Sequence, residues 1–174
     1  SESDGINRIF IIESPNITEI ADQNKKMVWK SGEIGSGAER FALWGPHINY
    51  IKGEWYIYFA AQSQNDPEFK HQRMWVLKAD TDDPLGSYTE VGEVLNSNDT
   101  EWAIDGSVLE RSDGSLYFVW SGITDFNTLE QHTYIAKMHD PTVIDRSTIT
   151  RISSPTEPWE TSVRPIQEGQ RPLY

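Results

Sequence analysis

Short apolar runs bounded by Gly, Asp and Pro recur along the chain, and almost none of them carries a helical period. KGEWYIYF (52–59) reads as a Gly turn opening into an apolar strand, and DGSLYFVW (113–120) reads the same way. Their matching tyrosines, Tyr56 and Tyr117, stand 61 residues apart. After each comes a polar loop and a second run, MWVLKA (74–79) in one copy and TYIAKM (133–138) in the other. Each second run leads into an Asp-Pro turn, Asp83-Pro84 and Asp140-Pro141, where proline fixes φ and removes a ladder donor. These register marks repeat at about sixty residues.

A further apolar segment precedes each Gly turn, at 44–51 and at 104–109, so one unit holds strand, tight turn, strand, loop, strand and a fourth strand. That is the content of a propeller blade. The expected blades run over about 44–100 and 104–160 within a single domain of 1–174, roughly three blades' worth of chain. The stretch 7–12, with Pro15 after it, reads as the third strand of an earlier unit, and 163–174 as the opening of a later one. The one candidate helical turn is 17–26, and its richness in Asp, Asn and Gln favours a loop. A two-sheet sandwich also gives many short strands, but its turn spacing near 8–12 residues carries no sixty-residue super-period. The expected fold is therefore all-β, a β-propeller.

Charge narrows the partners. Asp and Glu number 27 against 15 Lys and Arg, a net charge of −12 that repels a polyphosphate backbone and anionic lipid heads, so neither nucleic acid nor a membrane surface is expected. No apolar run approaches the roughly 20 residues of a membrane span, and no signal-peptide pattern opens the sequence. The absence of Cys excludes disulfides and thiolate metal sites and leaves the compartment open. Two sequons, Asn16-Ile17-Thr18 and Asn98-Asp99-Thr100, fit a secretory route. The four histidines are spread along the chain, and Asp80-Thr81-Asp82-Asp83 lacks calcium-loop spacing, so no metal site is expected.

LWGPHINYIKGEWYIYFAA (43–61) resembles the segment of glycoside hydrolase family 43 written W-A-P-E, followed by a strand, a Gly turn and W-Y-I-Y-F-A-A, with Gly45 where Ala is usual and His47 where Glu is usual. WAIDGSV (102–108) is similar to the family's W-A-I-D-G-T-V, the runs from Tyr117 and Tyr134 to its Y-F-V-W-S-G and Y-I-A-K-M strands, and SSPTEPWE (153–160) to its S-x-P-T-x-x-W-E run. Gln167-Glu168-Gly169 stands where the family has N-E-G-P, with Gln170 in place of the Pro. The resemblance, in family order and spacing from Ile9 to Leu173, implies part of a five-bladed propeller of arabinofuranosidase or xylosidase type. It also implies secretion, a plant cell-wall carbohydrate substrate and an inverting mechanism. Family members begin with a blade carrying an Asp-Pro pair whose Asp is the general base. Nothing in 1–10 matches it, so the chain reads as cut at both ends, with a second chain or copy as one way to complete the ring. The competing expectation is a carbohydrate-binding fragment that lacks the base.

Inverting hydrolysis needs one carboxyl to protonate the leaving oxygen and one carboxylate to deprotonate water on the opposite face of the sugar. The resemblance implies that Glu168 is the general acid and Asp105 the third family carboxylate, whose negative charge disfavours ionisation of the acid and helps orient it. Read from the residues alone, Asp105-Gly106 is also an ordinary turn pair, although it stands beside Ile104 and before Val108 on an expected innermost strand where no turn is needed, and Glu168 is a solvated loop acid. Trp44 and Trp102 are candidate stacking faces for a pentose or core fillers. His47 is a sugar contact or a satisfied inner-channel histidine. Ser121 and Gln131 match family positions near the cleft. No cofactor is expected, although family members sometimes hold an ion, a calcium, in the central channel.

Overall fold

The computed structural model describes residues 7–22, 24–33, 37–98 and 101–172. Asp99 and Thr100 of the second sequon, and the last two residues of the expected later unit, lie outside these. Strands β1 (Arg8–Ile12) and β2 (Lys25–Lys30) pair antiparallel as a two-stranded sheet, joined through a 3₁₀ turn at Ile17–Asp22. The turn falls where a helical turn or loop was expected, but it stops short of residue 26. Lys25 and Lys26 belong to β2, because their backbones pair with Ile12 and Ile11.

The next sheet runs in chain order, β3 (Phe41–Ile51), β4 (Glu54–Gln62), β5 (Gln72–Ala79) and β6 (Tyr88–Glu93). The one after it repeats the plan with β7 (Trp102–Glu110), β8 (Leu116–Ile123) and β9 (Gln131–Asp140). Its fourth position is divided: β10 (Val143–Ile144) and β11 (Thr150–Ser153) both pair with β9, on either side of a 3₁₀ turn at Arg146–Thr148.

The sixty-residue spacing is a structural repeat. Tyr56 lies between Asn49 and Lys78, and Tyr117 between Leu109 and Lys137, so the two tyrosines hold the same place in their sheets and face a lysine on the third strand. The first Gly turn is a two-residue loop with Lys52 and Gly53 at φ 50 and 89°, the geometry that matches strand twist in a tight hairpin. Asp140 ends β9 in an Asx turn, its carboxylate accepting from the Thr142 backbone at 2.7 Å.

Strands β4 and β5 are buried on both faces because a sheet packs on each side of them, which is why they read as unbroken apolar runs. Ile57, Phe59, Trp75 and Leu77 meet Ile9, Val28 and Trp29 of the β1–β2 hairpin. On the other face Tyr58, Met74 and Val76 meet Phe118, Trp120, Val108 and Met138 of the second sheet. Aromatic rings continue this layer from Tyr58 through Phe118 and Trp120 to Tyr134 at centroid distances of 5.6, 6.0 and 5.6 Å. Each such ring contributes about 1.5–3 kcal/mol by burial. The Tyr58 hydroxyl donates to the Pro141 carbonyl at 2.5 Å, tying the sheets at one end. Among the described residues no helix is long and apolar enough to cross a membrane.

Candidate active site

The innermost strands β3 and β7 are both bulged at the same register. In β7, Ile104 pairs with Ser121 and Ser107 with Val119, so Asp105 and Gly106 together oppose Trp120. In β3, Trp44 pairs with Ala60 and His47 with Tyr58, so Gly45 and Pro46 oppose Phe59. The bulged residue is left-handed in each: Gly45 at φ 51° and Asp105 at φ 55°. That conformation costs Gly nothing and is tolerated by Asp among the L-residues. Asp105 therefore sits in a strand, and its bulge re-aims the carboxylate out of the ladder. A Cβ on Gly45 would lie 3.1 Å from Asp105 Oδ1, so the absence of a side chain there gives the carboxylate its room. Gly106 is bare for a different reason: a Cβ would fall 2.2 Å from Phe118 Cζ and 2.9 Å from Met74 Cε.

After β11 the described chain forms no further strand, and 165–171 lies as a strap across the same end of the second sheet. The Gln131 backbone N–H donates to the Pro165 carbonyl at 3.0 Å. Thr133 Oγ1 donates to Gln167 Oε1 at 3.1 Å and accepts from Gln170 Nε2 at 3.0 Å. Gln167 Nε2 reaches Ser153 Oγ at 2.9 Å and Glu160 Oε1 at 3.0 Å. The Gly169 backbone N–H donates to Asp105 Oδ2 at 2.9 Å. Ser107 Oγ donates to the Gln170 carbonyl at 2.9 Å, and Arg171 Nη1 to the Asp105 carbonyl at 3.2 Å.

Glu168 stands inside this web, next to the residue that bonds Asp105. Its side chain is exposed and makes no hydrogen bond or ion pair among the described residues. Glu160, a second acid of the region, is engaged by the Glu157 and Thr156 backbone N–H groups and by Gln167. Those donors, the Glu157 amide first, hold its carboxyl below the ordinary carboxylate range, so it stays ionised and is a poor proton donor.

The remaining expected site residues fall at the same end of the sheets but in different settings. Ser121 is fully buried and donates to Gln131 Oε1 at 3.1 Å, so these two are joined to each other and, through Gln131, to the strap. Trp102 is buried, and its indole N–H donates to the Phe69 carbonyl at 2.8 Å. Trp44 packs its ring at 5.1 Å on the Phe69 ring. The tryptophans are not counterparts in the repeat, since Trp44 shares the register of Ile104, but both meet Phe69, whose left-handed φ of 56° in the β4–β5 loop nothing in the sequence signalled. His47 lies one residue past the β3 bulge, half-buried, with Nδ1 3.4 Å from Asn49 Nδ2. Burial, and secondarily the Arg171 charge, push its pKa down, so the ring is neutral at pH 7. Among the described residues no three His, Asp or Glu side chains converge to hold a metal ion.

A family model described as Glycosyl hydrolases family 43 matches residues 1–174. An extracellular exo-α-(1→5)-L-arabinofuranosidase of Streptomyces avermitilis is 31% identical over 93% of this chain and 32% of its own length. A protein of the same description from Streptomyces chartreusis is 26% identical over 93% of this chain and 48% of its own length. Among solved structures, an α-L-arabinofuranosidase from Lactobacillus brevis superposes with a TM-score of 0.79 at 27% identity, over 97% of this chain and 56% of that one. The chain thus spans between a third and about half of these relatives. The repeated sheets are part of a five-bladed β-propeller.

Proposed function

The chain belongs to glycosyl hydrolases family 43, and from that premise we propose that it carries the proton-donating side of an active site that cleaves arabinofuranosidic or xylosidic bonds of plant polysaccharides with inversion. The observation that supports this reading is the 2.9 Å bond from the Gly169 backbone to Asp105, which sets Glu168 beside a strand-borne carboxylate. Glu168 protonates the glycosidic oxygen as the carbon–oxygen bond breaks, and water adds to the sugar carbon from the opposite face. Asp105 anchors the strap and supplies the negative charge near the donor. The carboxylate that takes the proton from water is assigned to no residue of this stretch. Trp44 and Phe69 offer apolar ring surface at the same end, suited to the face of a pentose. The relatives' names place them outside the cell, and we extend that location to this chain. A further blade, from the same or a second chain, would cover the face of the second sheet that bears Tyr117 and Ile135.

Glu168→Gln tests the reading on an aryl arabinofuranoside and an aryl xyloside. The amide keeps the shape but donates no proton, so turnover should fall by about 10²–10⁴-fold while binding of pentose oligomers is retained. Unchanged turnover removes Glu168 from the mechanism. Binding of pentose oligomers with no turnover by the unaltered chain would instead favour the carbohydrate-binding reading.

A further inference from the structure

The candidate acid makes no hydrogen bond or ion pair of its own among the described residues, yet the two residues that flank Glu168-Gly169 are both held by one hydroxyl. Thr133 Oγ1 donates to the Gln167 side chain at 3.1 Å and accepts from the Gln170 side chain at 3.0 Å. A hydroxyl has one proton to give and lone pairs to accept with, so both bonds form together. Thr133 itself is buried, 9% exposed, at the start of β9, opposite Ser121 on β8. Gln170 Nε2 also returns to the Gln167 carbonyl at 3.0 Å, closing a ring of bonds around the four-residue run 167–170. The clamp is built on a rigid strand, and the group it leaves free is the Glu168 carboxyl.

We propose that Thr133 is a positioning residue for Glu168: its hydroxyl fixes the span between Gln167 and Gln170, and that span sets the Gly169 amide on Asp105 and the acid beside it. The inference rests on the assignment of Glu168 above and adds to it a residue that touches neither substrate nor the reacting atoms. It also gives Gln170 a function. At that position a proline could not donate to Thr133, and here the side-chain amide supplies the bond that holds the strap.

The test uses the full chain and three variants, Thr133→Val, Thr133→Ser and Gln170→Leu, each first checked for an unchanged thermal midpoint. Thr133→Val removes both bonds while keeping shape and strand preference. It should lower kcat by about ten- to a hundredfold, the scale of a misplacement near one ångström, with KM within about twofold. Hydrogen exchange at the Gly169 amide should become faster. Gln170→Leu, which leaves Thr133 intact, should change exchange in the same direction, and Thr133→Ser should restore both readouts. Gly169 exchange unchanged in Thr133→Val, or a Ser variant as impaired as the Val variant, overturns the proposal. The exchange measurement reads the clamp whether or not Glu168 is the acid. If Glu168→Gln keeps its turnover, the assignment of the acid falls on a separate result.

Discussion

At the scale of single residues, the place of Asp105-Gly106 on an inner strand was legible in the sequence, while the bulge it forms there was not. The same two letters spell a turn, and only the register of β7 against β8 shows a bulge with Asp105 left-handed at φ 55°. A left-handed non-Gly residue inside a strand is a strained choice, and such outliers gather at functional sites. Gly106 was legible merely as the partner of Asp105, whereas its structural reason is contact with Phe118 and Met74. Gly106→Ala should therefore destabilise the fold by about 1–3 kcal/mol through overpacking, read as a lower urea midpoint with an unchanged m-value. A midpoint equal to that of the unaltered chain would mean that Phe118 can move aside. Thr133 passed unremarked because a threonine at the head of a strand is ordinary; only its two partners, 34 and 37 residues away, single it out.

At the scale of elements, the apolar runs located β4, β5, β8 and β9, and in β4 and β5 burial on both faces leaves no polar alternation to blur the run. The bulged inner strands and the strap were harder to read, because bonds between residues distant in sequence define them. The same holds for the joint between the N-terminal hairpin and the first sheet. There Arg40 lies 3.4 Å over the Trp75 ring and pairs with Glu90 of β6 at 2.5 Å, with side-chain exposures of 8% and 4%. Burial raises the Glu90 pKa and the Arg40 bond opposes that rise. Removing one partner strands the other's charge in the interior, so Glu90→Gln should cost about 3 kcal/mol in chemical denaturation. Arg40→Met with Glu90→Gln leaves no buried charge and should cost less than Glu90→Gln alone. A double variant as unstable as the sum of the singles would show that the two side chains act independently.

At the scale of the whole molecule, the sheets close at one end through turns and present the candidate site at the other, and two histidines, one half-buried and one buried, flank that site. His47 lies at the inner strand, and His132, 5% exposed, lies at the start of β9 with Glu130 Oε2 at 3.7 Å and the Tyr134 ring in edge contact. Burial pushes the pKa of each down from 6.5, joined by Arg171 at His47 and by Arg151 at His132, where Glu130 opposes the shift. A base whose pKa is lower folded than unfolded binds fewer protons in the native state. Its neutral form supports the fold fully above 6.5, and that support is lost as pH falls below it. Glu90 acts in the opposite sense: its raised pKa lets the native state take up a proton first as pH falls toward 4.5. The histidine contribution is therefore best isolated by difference. Urea midpoints measured from pH 7.5 downward should decline for the unaltered chain below its plateau, and His132→Gln, which has no proton to accept there, should decline less over the same range. Parallel curves would mean that His132 protonates without disturbing the layer between the sheets, leaving His47 and the strap as the acid-sensitive part of the molecule.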